Sequence, residues 1–327
     1  MLISPATTQN LMHAAVLDAP GAPDAFAFRS IPRPIIVNTE ALVRVHGAGV
    51  NPIDAKTRAG GGTSAAIPSW PAVIGCDLVG EVVTPPYELA PVKAGQRVYG
   101  VANVPRAGGS YAEYAAVPMT SLAPAPASLT DDEAAAVPVA ALTAWGAVVD
   151  LAKARAGQRI LVHAGAGGVG HFAVQLAHYF GAYVIATASA ANRAFVKQLG
   201  ADEVIDYQAQ PFEDAVAQVD VVIDLLGNGV DRTSSRSLNV LRRGGLIVNV
   251  PSGTWPTLRE EAAAAGVRAS TFRLTPSGAI LAVIGRLIDA GDIHVEIAHT
   301  YAFDELAAAH RDIESGHTRG KLVVRID

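Results

Sequence analysis

The chain has one cysteine, Cys76. That excludes an internal disulfide and any zinc site built from several thiolates. Aromatic residues are scarce, at 6%, and charged residues make up only 17%. The 25 lysines and arginines never gather into a basic block, and the formal net charge is -5. That balance argues against a nucleic-acid partner held by phosphate neutralisation. Long hydrophobic runs are also missing. The richest, 134–149, stops at 16 residues and is broken by Pro138, whereas a membrane span needs ~20. The opening residues, MLISPATTQN, lack the basic region of a signal peptide. A cytoplasmic protein without a membrane partner is expected.

What is present points to a large folded core. Half of the residues are hydrophobic, enough to offset the entropy of ordering the chain. The length, 327 residues, exceeds the ~250–300 at which a single core stops growing, so two domains are expected. The texture changes near residue 130. Residues 1–130 are rich in glycine and proline, with β-prone runs at 41–50, 73–83, 96–102 and 111–117. Short strands at close spacing predict an all-β, barrel-like domain. From 131 onward strand alternates with helix. Strands are read at 159–165, 183–188, 203–207, 219–226 and 245–250, and helices at 169–179, 191–200 and 277–291. In the last helix Ile280, Val283, Ile284, Leu287 and Ile288 share a face. The strands are almost continuously apolar, as in parallel strands buried on both faces. Repeated βα units predict a doubly wound α/β domain over 131–299. A polar helix (304–315) and the strand GKLVVRI are expected to pack back on the first domain.

The sharpest motif is His-Ala-Gly-Ala-Gly-Gly-Val-Gly at 163–170. Gly165, Gly167 and Gly170 fit G-x-G-x-x-G. The run follows a strand and opens a helix, the context that gives this pattern its meaning. Gly165 is read as the tight turn. Gly167 and Gly168, with Ala166 and Val169 beside them, let backbone N–H groups approach a pyrophosphate. Gly170 lets helix and strand pack closely. The positive end of the helix dipole then faces the phosphates.

An NAD site carries Asp or Glu at the end of the second strand, ~20 residues on. Here that strand ends Ala-Thr-Ala-Ser-Ala-Ala-Asn-Arg at 186–193, and no acid appears before Asp202. Ser189 and Arg193 stand in the region instead. A hydroxyl and a guanidinium suit a 2′-phosphate, so NADPH is the expected cofactor. The alternative is that Arg193 is a solvated helix residue. Ligands of doubly wound sheets bind at the carboxyl ends of strands. That places Leu226 and Gly227, and then Val250, Pro251 and Ser252, along the cofactor.

Six stretches occur in a telling order: GVNPIDAKTRAG (49–60), VIGCDLVGEV (73–82), GGSYAEYAAVP (108–118), HAGAGGVG (163–170), LGADEVIDY (199–207) and HTRGKLVV (317–324). Together they resemble the medium-chain dehydrogenase/reductase superfamily, in its zinc-free quinone oxidoreductase-like branch, over nearly the whole chain. The resemblance implies an α/β protein: a GroES-like β-barrel domain at 1–130, completed by 300–327, and a Rossmann NADP-binding domain at 131–299. It implies an active site in the cleft between them, and a homodimer paired through the stretch around Phe272 and Leu274. It implies that Thr143 contacts the cofactor, that Tyr207 covers the adenosine phosphate, and that Lys321 closes the cofactor cleft. Asn51 is placed near the nicotinamide or its ribose, with an Asn-Pro turn residue as the alternative. Lys56 stands where several relatives have Tyr and would meet a ribose or a developing enolate. The alternative there is a solvated lysine. Asp54 is read as a turn capper.

Zinc alcohol dehydrogenases carry a ligand Cys where this chain has Asn51. They carry Gly-His-Glu where it has Gly75-Cys76-Asp77, and a third ligand near Val139 and Ala140. Cys76 alone cannot supply three protein ligands and is read as a small buried residue. His46, His163 and His171 lack metal spacing and receive no catalytic role. Without a Lewis acid, alcohol oxidation is disfavoured. Hydride addition to an electron-poor carbon becomes the natural chemistry, because the charge formed settles on an oxygen. The expected function is an NADPH-dependent reductase of quinones or other activated C=C or C=O acceptors. The alternatives are a dedicated enone or acyl-thioester reductase, and a non-catalytic NADPH-binding sensor.

Overall fold

Some strands of this chain bury every second residue and others bury nearly all, which sorts them into two architectures. The computed structural model describes residues 10–326 except 104, 105, 107, 217 and 252. Two units result. The first runs to Val139 and takes back Pro276–Asp289 and the chain from Ile297 on; the second is Ala140–Thr275 with Ala290–Glu296.

The first unit opens with β1 (Leu11–Leu17), β2 (Ala27–Pro32) and β3 (Glu40–Val50). The short helix α1 (Pro52–Arg58) follows, then β4 (Ala72–Val73), β5 (Asp77–Thr84), β6 (Arg97–Val101), β7 (Tyr114–Pro118) and β8 (Leu122–Pro124). β3 buries Ala41, Val43 and Val45 and leaves the residues between them half-buried or exposed. That alternation is the mark of an antiparallel strand with one face inward. Helices α2 (Asp131–Ala135) and α3 (Pro138–Trp145) follow.

The second unit carries six parallel strands. They are β9 (Arg159–Val162), β10 (Tyr183–Ala188), β11 (Glu203–Asp206), β12 (Val219–Asp224), β13 (Leu241–Asn249) and β14 (Arg268–Thr271). Between them lie α4 (Gly170–Tyr179), α5 (Arg193–Gln198), α6 (Phe212–Ala215), α7 (Thr233–Ser237) and α8 (Leu258–Ala264). The order β11-β10-β9-β12-β13-β14 is that of a doubly wound sheet, with its switch point between β9 and β12. Ile160, Leu161, Val162, Val222 and Ile223 are fully buried, which is why their runs read as continuously apolar.

The chain then forms α9 (Gly278–Asp289), β15 (Ile297–Tyr301), α10 (Leu306–Ser315) and β16 (Lys321–Arg325). β16 pairs antiparallel with β3, Leu322 opposite Val50. The last strand therefore returns to the first unit, as its sequence suggested. The larger sheet runs β15-β16-β3-β5-β6-β8 with β7 also on β3, while β2-β1-β4 form a smaller one. Val43, Val45, Leu78, Val82, Val98, Leu322 and Val324 fill the core of this unit.

Helix α9 corrects the expected boundary. Its sequence places it in the dinucleotide domain over 131–299, yet it groups with the first unit. Tyr99 Oη donates to Leu281 O at 2.6 Å, and the Asp289 carboxylate accepts from Ser128 N at 2.9 Å. The buried stripe is Leu281, Ile284, Gly285 and Ile288. Ile280, Val283 and Leu287 stay half-buried, so the helix is rotated from the face its sequence suggested. Bulk at Gly285 would press on Tyr99, since a Cβ there would lie 3.2 Å from the Tyr99 Oη.

Candidate functional site

β9 ends at Val162 and α4 opens at Gly170, so the glycine run is the turn between them. Gly165 N donates to Thr187 O at 2.9 Å and Gly167 N to Ala164 O at 2.9 Å. A Cβ at Gly170 would lie 2.0 Å from Ala164 O, and one at Gly165 would lie 2.9 Å from the Ala186 Cβ. Close approach, and not a positive φ, is what these two positions demand. Gly165, Ala166 and Gly170 are buried, while Gly167, Gly168 and Val169 are partly open. A phosphate would therefore meet 167–169 and the positive end of α4. His171 Nδ1 donates to Gly167 O at 3.0 Å, which ties the turn to the helix. Sequence reasoning leaves this residue without a role, since a carbonyl partner has no side-chain signature.

β10 and β11 pair Ala188 with Asp206, so Ser189 and Tyr207 leave neighbouring strand ends together. Tyr207 is 52% exposed. Arg193 donates through Nη2 to Val204 O at 3.0 Å and lines a shallow pocket of about 260 Å³ with Lys197, Asp202 and Gln210. Asp202, the first acid after β10, is spent on Val184 N at 2.7 Å. Thr143 is buried in α3. A Cβ at Gly146 would lie 2.2 Å from Phe272 Cε2, so Phe272 is a packing residue here.

At the end of β12 the fully buried Asp224 organises the rest of this edge. Its Oδ1 accepts from Leu226 N at 3.1 Å and Gly227 N at 3.0 Å. Its Oδ2 accepts from Ser234 Oγ and Asn249 Nδ2, both at 2.6 Å. The amides of Leu226 and Gly227 are thus already used, and only their other surfaces can face a cofactor. Val250 and Pro251 are half-buried at the neighbouring strand end; Ser252 lies outside the described residues. Asp224 escapes a sequence reading, although an acid closing a buried apolar strand must find partners. His163 is a satisfied interior residue, bonded to Ser237 Oγ at 2.8 Å. Burial holds its pKa down to about 4.

In the first unit the matched motifs converge on a buried polar cluster. Asn51 caps α1, and its backbone N donates to Asp54 Oδ2 at 2.9 Å. Its Nδ2 donates to Asp77 Oδ2 at 2.9 Å, and its Oδ1 accepts from Lys321 Nζ at 2.5 Å. Lys321 Nζ also donates to Val50 O at 3.1 Å and Asp77 Oδ2 at 3.2 Å. Asp77 Oδ1 accepts from Val139 N at 2.6 Å. Asn51, Asp54, Asp77 and Lys321 are 0–3% exposed. Two of the expected site residues are held inside this cluster. Both halves of the Asn51 amide are engaged internally. The three N–H donors of Lys321 all have partners inside the unit. Asp54 is the capper it was read to be, and burial pushes its pKa up to about 6. Burial, with Asp54 beside it, drives the Cys76 thiol well above its ordinary value, which makes it inert. Lys56 is exposed on α1, and its ammonium has no hydrogen-bond or ion-pair partner among the described residues.

A family model described as "Alcohol dehydrogenase GroES-like domain" matches residues 37–127, and one described as "Zinc-binding dehydrogenase" matches 199–324. The NADPH-dependent alkenal/one oxidoreductase, chloroplastic, of Arabidopsis thaliana is 35% identical over 89% of this chain and 73% of its own. The solved quinone oxidoreductase of Coxiella burnetii is 36% identical, with a TM-score of 0.91 over 97% of this chain and 100% of that one. Mycobacterial Rv1454c, solved with NADPH, is 29% identical, with a TM-score of 0.84 over 96% and 99%. The zinc in one description has no fitting donor set here. The Cys76 thiol faces Asp54, both oxygens of Asp77 are taken, and a dication would meet the Lys321 ammonium. No three of His, Cys, Asp or Glu gather as ligands among the described residues. Sheet order, glycine turn and these likenesses agree: the chain belongs to the medium-chain dehydrogenase/reductase superfamily, as a nicotinamide-dependent oxidoreductase of its quinone oxidoreductase-like branch.

Proposed function

We propose that this enzyme uses NADPH to reduce quinones or other electron-poor C=C or C=O acceptors, and does so without zinc. The observation that carries the reading is the buried cluster around Asp77, where an internal ammonium replaces any Lewis acid. The cluster leaves no seat for a Lewis acid that would acidify a simple alcohol. That supports an acceptor whose developing charge is already delocalised. Bound NADPH would supply the hydride. The partly open turn at 167–169 would hold its pyrophosphate, with Thr143, Val250 and Pro251 along its course. Ser189, Arg193 and Tyr207 would hold the 2′-phosphate end. Lys56 is the exposed cation that can meet a ribose hydroxyl or the oxygen of a developing enolate. The likeness to an enzyme named for alkenals and alkenones supports a second reading, in which a dedicated enone is the substrate. The reading includes a homodimer, for which the outer edge of β14 offers a seam.

The test is fluorescence titration with NADPH and NADH, then NADPH oxidation with 1,4-benzoquinone, 9,10-phenanthrenequinone and a simple enone, with and without a zinc chelator. Tight NADPH binding and chelator-resistant turnover are expected. NADH preference would overturn the 2′-phosphate assignment, and chelator loss would overturn zinc independence. Light scattering on the same preparation reads the dimer.

A further inference from the structure

The cluster that excludes a metal has a second consequence. Lys321 opens β16, and its ammonium touches three other pieces of the chain: the last residue of β3 (Val50 O), the cap of α1 (Asn51 Oδ1) and the first residue of β5 (Asp77 Oδ2). The junction leaves no slack. Gly49 has to be glycine, since a Cβ there would lie 2.5 Å from Ala135 O and 2.6 Å from Asp77 Oδ2. Asn51 is locked from both ends of its amide, with Lys321 on the carbonyl and Asp77 on the nitrogen. Its backbone N and the Asp54 carboxylate close the capping box. The direction in which α1 starts is therefore set by the ammonium. α1 is only seven residues long, and Lys56, its exposed cation, sits within it. A buried ammonium with three oxygen partners is a costly thing to keep. An apolar side chain would seal a core more cheaply.

We propose that Lys321 is a positioning residue of the reductase site, its ammonium fixing Asn51 and so the helix that presents Lys56 to the acceptor. This rests on the reductase reading above. Lys321 acts through Lys56 and not on NADPH, since its three N–H donors are engaged within its own unit.

The experiment is a double-mutant cycle between K321M and K56M, read as kcat with the best acceptor and as the NADPH dissociation constant. K321M is expected to lower kcat by about tenfold to a hundredfold, the cost of a misplaced group. Its NADPH affinity should stay within about twofold, because its three N–H donors are already spent inside the first unit. K321M/K56M should be no slower than K56M alone. Additive losses, or a K321M enzyme that turns over like the unchanged one, would overturn the proposal. Since K321M strips Asp77 of its counter-charge and can unfold, K321M/D77N removes both buried charges. It should fold with kcat still low, because Asn51 is no longer held. Restored kcat in that variant would assign Lys321 to folding alone. The unchanged enzyme is assayed first: absence of turnover there overturns the reductase reading itself.

Discussion

Two coenzymes that differ by one phosphate can be separated at one side chain. Arg193 stands at the head of α5, just after the end of β10 that carries Ser189 and beside the end of β11 that carries Tyr207. A charge-assisted hydrogen bond is worth about 1.5–3 kcal/mol. R193A should therefore raise the NADPH dissociation constant by about ten- to a hundredfold and leave that of NADH unchanged. Fluorescence titration with both coenzymes checks it, and equal losses would sink the phosphate contact. The signal that singles out Arg193 is local in sequence: it follows a strand end that lacks an acid. Lys321 has no such signal. Its partners Asp77 and Asn51 lie 244 and 270 positions away, and no local pattern tells an ammonium which strands will close around it. The same holds for Asn51, whose motif was visible while the saturation of its amide was not.

The turn between β9 and α4 is the element best written into the chain. Its glycines sit at fixed spacing between an apolar strand and a largely buried helix, so motif and context are both short-range. The structure adds the reason for two of them: the side chain of Ala186 lies against Gly165 and the backbone of Ala164 against Gly170. G170A must open that contact. Overpacking of this kind costs about 1–3 kcal/mol, and it also tilts the amides at 167–169. We expect lower thermal stability together with weaker NADPH binding, read by a melting curve with and without NADPH. A variant that melts lower but binds as before would show that α4 is merely packed there. Helix α1 was harder to foresee. Its signal was present, Asn at the cap followed by Pro and, three residues on, Asp. It was hidden inside a motif that drew attention to chemistry. Helix α9 was seen, but its partner was not, because the hydroxyl of Tyr99 that grips it lies 182 residues earlier.

For the molecule as a whole, acid should be more damaging than mild alkali. Burial holds His310 down to about 3 and His163 to about 4. The unfolded chain takes up protons that the folded one refuses, so their contribution is lost as pH falls below about 6.5. Asp54 works the other way. Its pKa is raised to about 6, so it favours the folded state at low pH, and that help is lost as pH rises through about 6. At about 1.4 kcal/mol per pKa unit, the two histidines outweigh Asp54. Burial raises Asp77 as well, while Asp131, Glu213 and Asp220 are held low and add to the loss in acid. The melting temperature should fall steadily from pH 7 to pH 4, and H310Q should flatten part of that fall. A profile that rises into acid would reverse the balance. The order of the strands also has a consequence for synthesis. β3 is made early, but one neighbour, β16, follows every other described strand. Until then the growing chain carries an unpaired strand edge, and the carboxylate of Asp77 waits for its cation. Stalled or truncated chains would share that open edge, which makes them natural clients for chaperones and early targets for proteolysis.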